Sequence, residues 1–214
     1  MLAVIDCAVQ EPVPNCFNSI VEQYAGPCFY HCPAFCEMNE TNTLPQAVII
    51  LGSASSVNDK LDWQNKLYKH IEKFVEAKLP ILGLCYGHQA LAHFFGAEVS
   101  FISKDQIKLK GSREIRFLKA FGEIKENERL RVAVSHREEI KKLPQDLKTL
   151  ASSEKISVEA FQHQSLPVFG FQSHPEASTY FLKNNLGFTD DSEIQELRQS
   201  GGRIIQAFLS LAFK

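Results

Sequence analysis

Along the chain, short apolar runs alternate with stretches in which apolar residues recur every third or fourth position. Residues 3–5 form one apolar run, Ala47-Val48-Ile49-Ile50-Leu51 a second closed by Gly52, and Pro80-Ile81-Leu82-Gly83-Leu84 a third. Strands covered on both faces read this way, because neither face meets water. Between the second and third runs, Trp63, Leu67, Ile71, Phe74 and Val75 step by three and four, with Lys66, Lys69, Lys73 and Glu76 interposed. That spacing predicts an amphipathic helix. Helices are also expected over residues 16–24, ending at Gly26-Pro27, and over residues 87–95, closed by Gly96. Beyond Ala97 the pattern favours strands, at residues 99–102, 114–118, 130–134, 156–161 and 168–171. Helical spacing returns over residues 176–186 and 203–213. The alternation predicts an α/β fold: an open, mostly parallel sheet flanked by helices, with an antiparallel strand insertion, in a single domain spanning residues 1–214.

Composition narrows the function classes. Hydrophobic residues at 44% and charged residues at 22% suit a chain that buries a full core, and they exclude disorder and fibrous repeats. A net charge of −2 supplies no global field to draw in nucleic acid or a membrane surface. No apolar run approaches the roughly 18 residues of a membrane span. Met1-Leu2-Ala3-Val4-Ile5-Asp6 has no basic region before its apolar residues, so no secretion signal is expected and the cytoplasm is the expected location. The six cysteines therefore read as reduced thiols. Cys28, Cys32 and Cys36, with His31 nearby, invite a metal reading, but their spacing misses the patterns that close a tetrahedral zinc site and Pro33 intervenes. They are taken as small buried or loop thiols, and no metal or cofactor is expected. Lys104, Lys108, Lys110, Arg113, Arg116 and Lys119 make one segment locally basic, which reads as a solvated strand pair rather than a docking face.

The candidate chemistry lies in two short segments. In Gly83-Leu84-Cys85-Tyr86-Gly87-His88-Gln89 a buried strand stops, one Cys follows, and glycines stand two positions to either side before a helix. A nucleophile on a sharp strand-to-helix turn has this context, since side chains two residues away would crowd the neighbouring strand and helix. The thiol would lie at a helix N-terminus, where the dipole favours thiolate and unpaired N–H groups face a developing oxyanion. Alone, the run is equally compatible with a buried structural Cys. Gly170-Phe171-Gln172-Ser173-His174-Pro175-Glu176 adds a base and a carboxylate at a second strand end. A thiol nucleophile needs both, the base to move its proton and the acid to fix the base's tautomer. His88 reads as a structural neighbour in the elbow helix, and His163 as a turn residue.

Together these segments resemble the class I glutamine amidotransferases. The resemblance runs through nearly the whole chain, because residues 47–51 and Ser135-His136-Arg137-Glu138 fall where that family has site loops. It implies a flavodoxin-like fold and a Cys-His-Glu triad of Cys85, His174 and Glu176. By that resemblance Cys85 attacks the side-chain amide carbon of glutamine to form a γ-glutamyl thioester. His174 passes the thiol's proton to departing ammonia and then activates water, with Glu176 orienting it. The oxyanion would rest on the backbone N–H of Tyr86 and one from the loop at Gly52. Gln89 corresponds to a Gln that holds the substrate's amino-acid end, and Ser135 with His136 to a further substrate-side loop.

Departures from the family pattern also carry information. Many biosynthetic members have Ser-Gly-Gly-Pro where this chain has Leu51-Gly52-Ser53-Ala54. A Ser at 53 takes positive φ less cheaply than Gly, so an oxyanion hole that is built differently, or is incomplete until something binds, is expected. The Ser-rich stretch followed by Trp63 resembles the free-standing, GMP-synthase-like branch, which includes γ-glutamyl peptide hydrolases. Ser173 stands where a bulky aromatic is common, which predicts looser packing behind the base. Two substrates stay open at this point, glutamine with release of ammonia and a γ-glutamyl peptide or conjugate with release of an amine. No Walker-type phosphate loop occurs, so ammonia would pass to a separate synthetase. A non-catalytic regulator, or a redox sensor on Cys28, Cys32 and Cys36, is disfavoured by the intact triad.

Overall fold

The computed structural model of the chain describes residues 1–12, 14–36 and 44–213. The elements follow in the order β1 (Leu2–Ile5), α1 (Pro14–Val21), β2 (Cys28–His31), β3 (Ala47–Ile50), α2 (Asp62–Glu76), β4 (Ile81–Leu84) and α3 (Tyr86–Phe94). A strand-rich stretch comes next: β5 (Glu98–Phe101), β6 (Leu109–Phe117), β7 (Arg129–His136), β8 (Glu138–Lys142), β9 (Leu147–Ser152), β10 (Ala160–His163) and β11 (Val168–Phe171). A short π-helical segment (Phe181–Asn185) and α4 (Asp191–Ala212) complete the chain.

Among the described residues the main sheet has nine strands in the order β2-β1-β3-β4-β11-β10-β9-β6-β7, and β5 pairs with β8 in a second, two-stranded sheet. The strands from β2 to β11 are mutually parallel, and those beyond β11 pair antiparallel. The expected insertion is thus a continuation of the same sheet. Its far strand returns to the parallel part, because the N–H of His174, past the end of β11, donates to the Ala133 carbonyl of β7 at 2.9 Å.

Successive strand side chains point to opposite faces, so the apolar runs fill two cores at once. Leu2, Val4, Ile49 and Leu82 pack with Ile20 of α1 and Ile204, Ile205 and Phe208 of α4. Ala3, Ile5, Val48 and Ile50 pack on the other face with Leu67 and Ile71 of α2 and Ala90 and Leu91 of α3. Hydrophobic burial on both faces fixes the register, since a one-residue slip would exchange the two sets.

Several expected elements are corrected. β2, β8 and β9 were not anticipated: β2 lies in the cysteine-rich segment, and β8 (Glu-Glu-Ile-Lys-Lys) carries almost no apolar signal. The strand expected over residues 156–161 forms only from Ala160 onward. Glu176 sits in a turn rather than in a helix. The last helix starts at Asp191, not at residue 203, because Gly201-Gly202 is tolerated inside it. Gly201 is buried there, and a Cβ on it would lie 2.3 Å from the Pro175 carbonyl oxygen, so the residue is fixed by a close approach rather than by a helix end. Asp190 caps α4 by accepting from the N–H groups of Ser192 and Glu193, at 2.8 and 3.3 Å. Among the described residues no helix is long and apolar enough to cross a membrane.

Candidate active site

Ligands of open α/β sheets bind outside the carboxyl ends of the strands, and here three adjacent ends converge. In the parallel ladder Ile50 of β3 faces Gly83 of β4, and Leu84 faces Phe171 of β11. Gly52, Cys85 and His174 follow within three residues of those ends. Cys85 continues the ladder by donating its N–H to the Phe171 carbonyl at 2.8 Å, and the chain then turns sharply. Its φ of 51° and ψ of −100° lie outside the wells open to L-residues, a strain of about 1–3 kcal/mol of the kind found at functional sites.

The glycines at 83 and 87 make that turn possible. A Cβ on Gly83 would stand 2.3 Å from the Gly87 carbonyl oxygen, and one on Gly87 would stand 2.2 Å from the Ile50 carbonyl oxygen. Both obstacles are backbone and cannot swing aside. Gly52 is required by space as well: its Cβ would meet His174 Cε1 at 3.1 Å and Cys85 Cβ at 3.7 Å. Neither Gly52 nor Ser53 adopts a positive φ. Instead, the Ser53 hydroxyl accepts from the Ser55 N–H at 3.1 Å, so the loop closes without the left-handed residue that a second glycine would permit.

Cys85, His174 and Glu176 are buried together. Nδ1 of His174 lies 2.8 Å from Oε1 of Glu176, which leaves Nε2 as the ring nitrogen available to the thiol. Burial alone would push the imidazolium pKa down, but the sulfur of Cys85 and the carboxylate of Glu176 outweigh it and raise the pKa to about 10. The arrangement therefore favours the charged imidazolium. Cys85 Sγ lies 3.9 Å from the Ser135 carbonyl oxygen. Tyr86 opens α3, where first-turn N–H groups have no helical partner. Packing behind the base comes from Phe181, whose ring lies 5.1 Å from that of His174, rather than from position 173.

A cleft of 730 Å³ opens over these groups, and its walls include Asp6 and Glu11 from the β1–α1 loop, Gly52, Ser135, and Tyr180 beside the π-helical segment. Gln89 and His136 are not on that wall; both are buried beneath it. The Gln89 amide donates to the Glu138 carbonyl at 2.9 Å and to Gln172 Oε1 at 3.0 Å. His136 is held at both nitrogens, Nδ1 at 2.9 Å from the Glu138 carbonyl and Nε2 at 2.6 Å from Arg113 Nη2. Nδ1 must donate to that carbonyl and Nε2 must accept from the guanidinium, so the ring is neutral. Burial first, and then the charge of Arg113, hold its pKa at about 4.

These contacts belong to a buried polar frame that the sequence did not reveal. Glu138 joins it by accepting from the Ser56 hydroxyl at 2.8 Å. The Ser56 carbonyl accepts from Gln64, and the Gln64 amide also donates to the Tyr86 hydroxyl at 3.0 Å. Behind it, Arg113 and Glu159 form a buried ion pair at 2.7 Å, so Arg113 does not belong to the solvated surface expected for its segment. Lys108 and Lys110 of that segment line the cleft. His88 is buried between α3 and β11, and burial lowers its pKa to about 3. His163 accepts from two turn N–H groups, of Ser165 and Leu166, each at 3.1 Å. The six cysteines are free: Cys28 is half-buried, Cys32 buried and Cys36 exposed.

Comparison with known proteins follows the same lines. A GMP synthase (glutamine-hydrolyzing) subunit of Pyrococcus abyssi is 38% identical over 135 residues, which cover 63% of this chain and 68% of that one. The GMP synthase (glutamine-hydrolyzing) of Bacteroides fragilis is 29% identical over 192 residues, 78% of this chain and 34% of its own. In fold, a crystal structure of a glutamine amidotransferase from Thermotoga maritima matches with a TM-score of 0.78 at 19% identity, covering 99% of this chain and 97% of that one. The profile described as glutamine amidotransferase class-I matches residues 19–188, a span holding all three strand ends at the cleft. On that match, the protein is a member of the class I glutamine amidotransferase family.

Proposed function

We propose that the protein hydrolyses the side-chain amide of glutamine by covalent thiol catalysis. The observation that carries this reading is the imidazole of His174, bound to Glu176 at 2.8 Å through Nδ1 and set beside Cys85 with Nε2 free. The Cys85 sulfur adds to the γ-carbonyl carbon, and the carbonyl electron pair moves to oxygen. Backbone N–H groups of Tyr86 and Gly52 stabilise that oxyanion, which is where such donors lower a barrier most. As the carbonyl re-forms, the C–N bond breaks and His174 gives its proton to the departing ammonia. Water, deprotonated by His174, then attacks the thioester, and glutamate leaves as the thiol recovers its proton. Glu176 holds the ring and steadies its charge throughout. Gln89 and His136 serve by fixing the floor of the cleft rather than by touching substrate.

The Pyrococcus abyssi relative bears the name of one subunit of a GMP synthase. By that likeness a separate synthetase would take the ammonia, in the cytoplasm where free thiols persist. A second reading, release of an amine from a γ-glutamyl peptide or conjugate, is favoured by the size of the cleft. Glutamine is far smaller than the drug-sized ligands that pockets of about 300–1,000 Å³ enclose, and it would leave much of the 730 Å³ unfilled. Mass-spectrometric product analysis with glutamine and with γ-glutamyl dipeptides separates the two. Comparable or greater kcat/KM on glutamine supports the first reading. A preference above roughly 100-fold for the dipeptides, about 2.7 kcal/mol at the transition state, replaces it with the second.

A further inference from the structure

The cleft is lined by cations as well as by acidic groups. Lys108, just before β6, and Lys110, within it, line the cleft together with Cys85, Ser135 and His174. Lys110 stands opposite Ser135 in the β6–β7 register, so the pair of lysines is fixed next to the strand whose carbonyl lies beside the nucleophile. Asp6 and Glu11 line the same cleft from the β1–α1 loop. Among the described residues neither lysine ammonium has a carboxylate within ion-pairing distance, whereas Arg113, Arg129 and Arg131 of β6 and β7 each have one. Both lysines reach solvent, and Lys108 still senses the site: burial of its surroundings pushes its pKa down, while the Cys85 sulfur pulls it up. A cation lining the cleft beside the reacting sulfur, without a carboxylate partner among the described residues, is suited to an anionic group on the substrate. Every γ-glutamyl compound carries one, its α-carboxylate, and a γ-glutamyl peptide carries a second on its leaving amino acid.

We infer that Lys108, supported by Lys110, is the specificity residue that recognises a substrate carboxylate in this cleft. The inference rests on the reading of the cleft as a γ-glutamyl site. It adds to that reading the group that selects amino-acid amides over simple amides. A hydrogen-bonded ammonium–carboxylate contact of this kind changes affinity by roughly 10-fold to 100-fold.

The test measures binding without chemistry. In a Cys85→Ala background, calorimetry gives Kd for glutamine, glutaminamide, γ-glutamylglycine and γ-glutamylmethylamide, with Lys108 intact, as Lys108→Gln and as Lys108→Arg. Recognition of the α-carboxylate is read as a rise in Kd of roughly 10-fold or more on Lys108→Gln for all ligands but glutaminamide. Recognition of the leaving group's carboxylate is read as the same rise for γ-glutamylglycine alone. In either case Lys108→Arg recovers most of the affinity. An equal change for all four ligands, no change for any, or no binding of any ligand with Lys108 intact overturns the inference. Turnover of the same compounds by the protein with Cys85 in place is scored separately. Binding that depends on Lys108 without hydrolysis would overturn the catalytic reading and leave the carboxylate contact standing.

Discussion

Cys85 has a backbone conformation that most residues avoid, and Ala would share it, so replacing the sulfur changes the chemistry and leaves the turn in place. Cys85→Ala is expected to abolish turnover while the thermal midpoint moves by no more than a few degrees; activity within ~10-fold of the parent would refute the nucleophile assignment. In the proposed mechanism Glu176 acts on the base and His174 moves the proton. Accordingly, Glu176→Gln should lower kcat less than His174→Ala does, and the opposite order in steady-state assays would mean that the roles are exchanged. Cys85 and His174 were legible in the sequence because glycine spacing and strand ends are local features. Lys108 was not, because nothing in a basic run tells which cation turns toward a cleft formed by strands far away in the chain. Arg113, from the same run, went the other way and is buried against Glu159.

At the level of elements, the parallel strands could be read from uninterrupted apolar runs, since burial on both faces leaves that trace. β8 left none, for its core contribution is Ile140 among charged neighbours and its polar groups serve the frame under the cleft. The start of α4 was misplaced because Gly201-Gly202 resembles a stop, whereas the helix tolerates it for the sake of contact with Pro175. Two substitutions separate stability from function here. Asp190→Ala removes the cap and should cost about 1 kcal/mol in urea unfolding with kcat unchanged. Gly201→Ala places a methyl against backbone and should cost about 1–3 kcal/mol, and it should also lower kcat, because the displaced segment carries His174 and Glu176. Equal kcat values for the two variants would show that the contact does not reach the triad.

For the molecule as a whole, the buried imidazolium of His174 ties stability to pH. His174 has its folded pKa raised to about 10, from an ordinary value of 6.5. Its charge therefore stabilises the folded state fully below about pH 6.5, and that contribution fades as pH rises toward 10. Chemical denaturation across that interval should show the parent losing more stability than His174→Gln. Parallel curves would mean that the imidazolium is not bound as tightly as its surroundings imply. The general architecture was accessible from the alternation of runs and periodic stretches. What the sequence concealed was closure: the antiparallel extension brings β7 back to the catalytic segment through the bond between His174 N–H and Ala133, a contact between distant parts of the chain with no local signature.

The dent that Gly201 leaves in α4 makes a helix with no chemical role the gauge for the height of the imidazole. A random screen for inactive variants would then return hits on the outer layer of the protein, where a map of the cleft alone would give no reason to look. An inhibitor wedged between that helix and Pro175 could silence the enzyme without ever competing with its substrate.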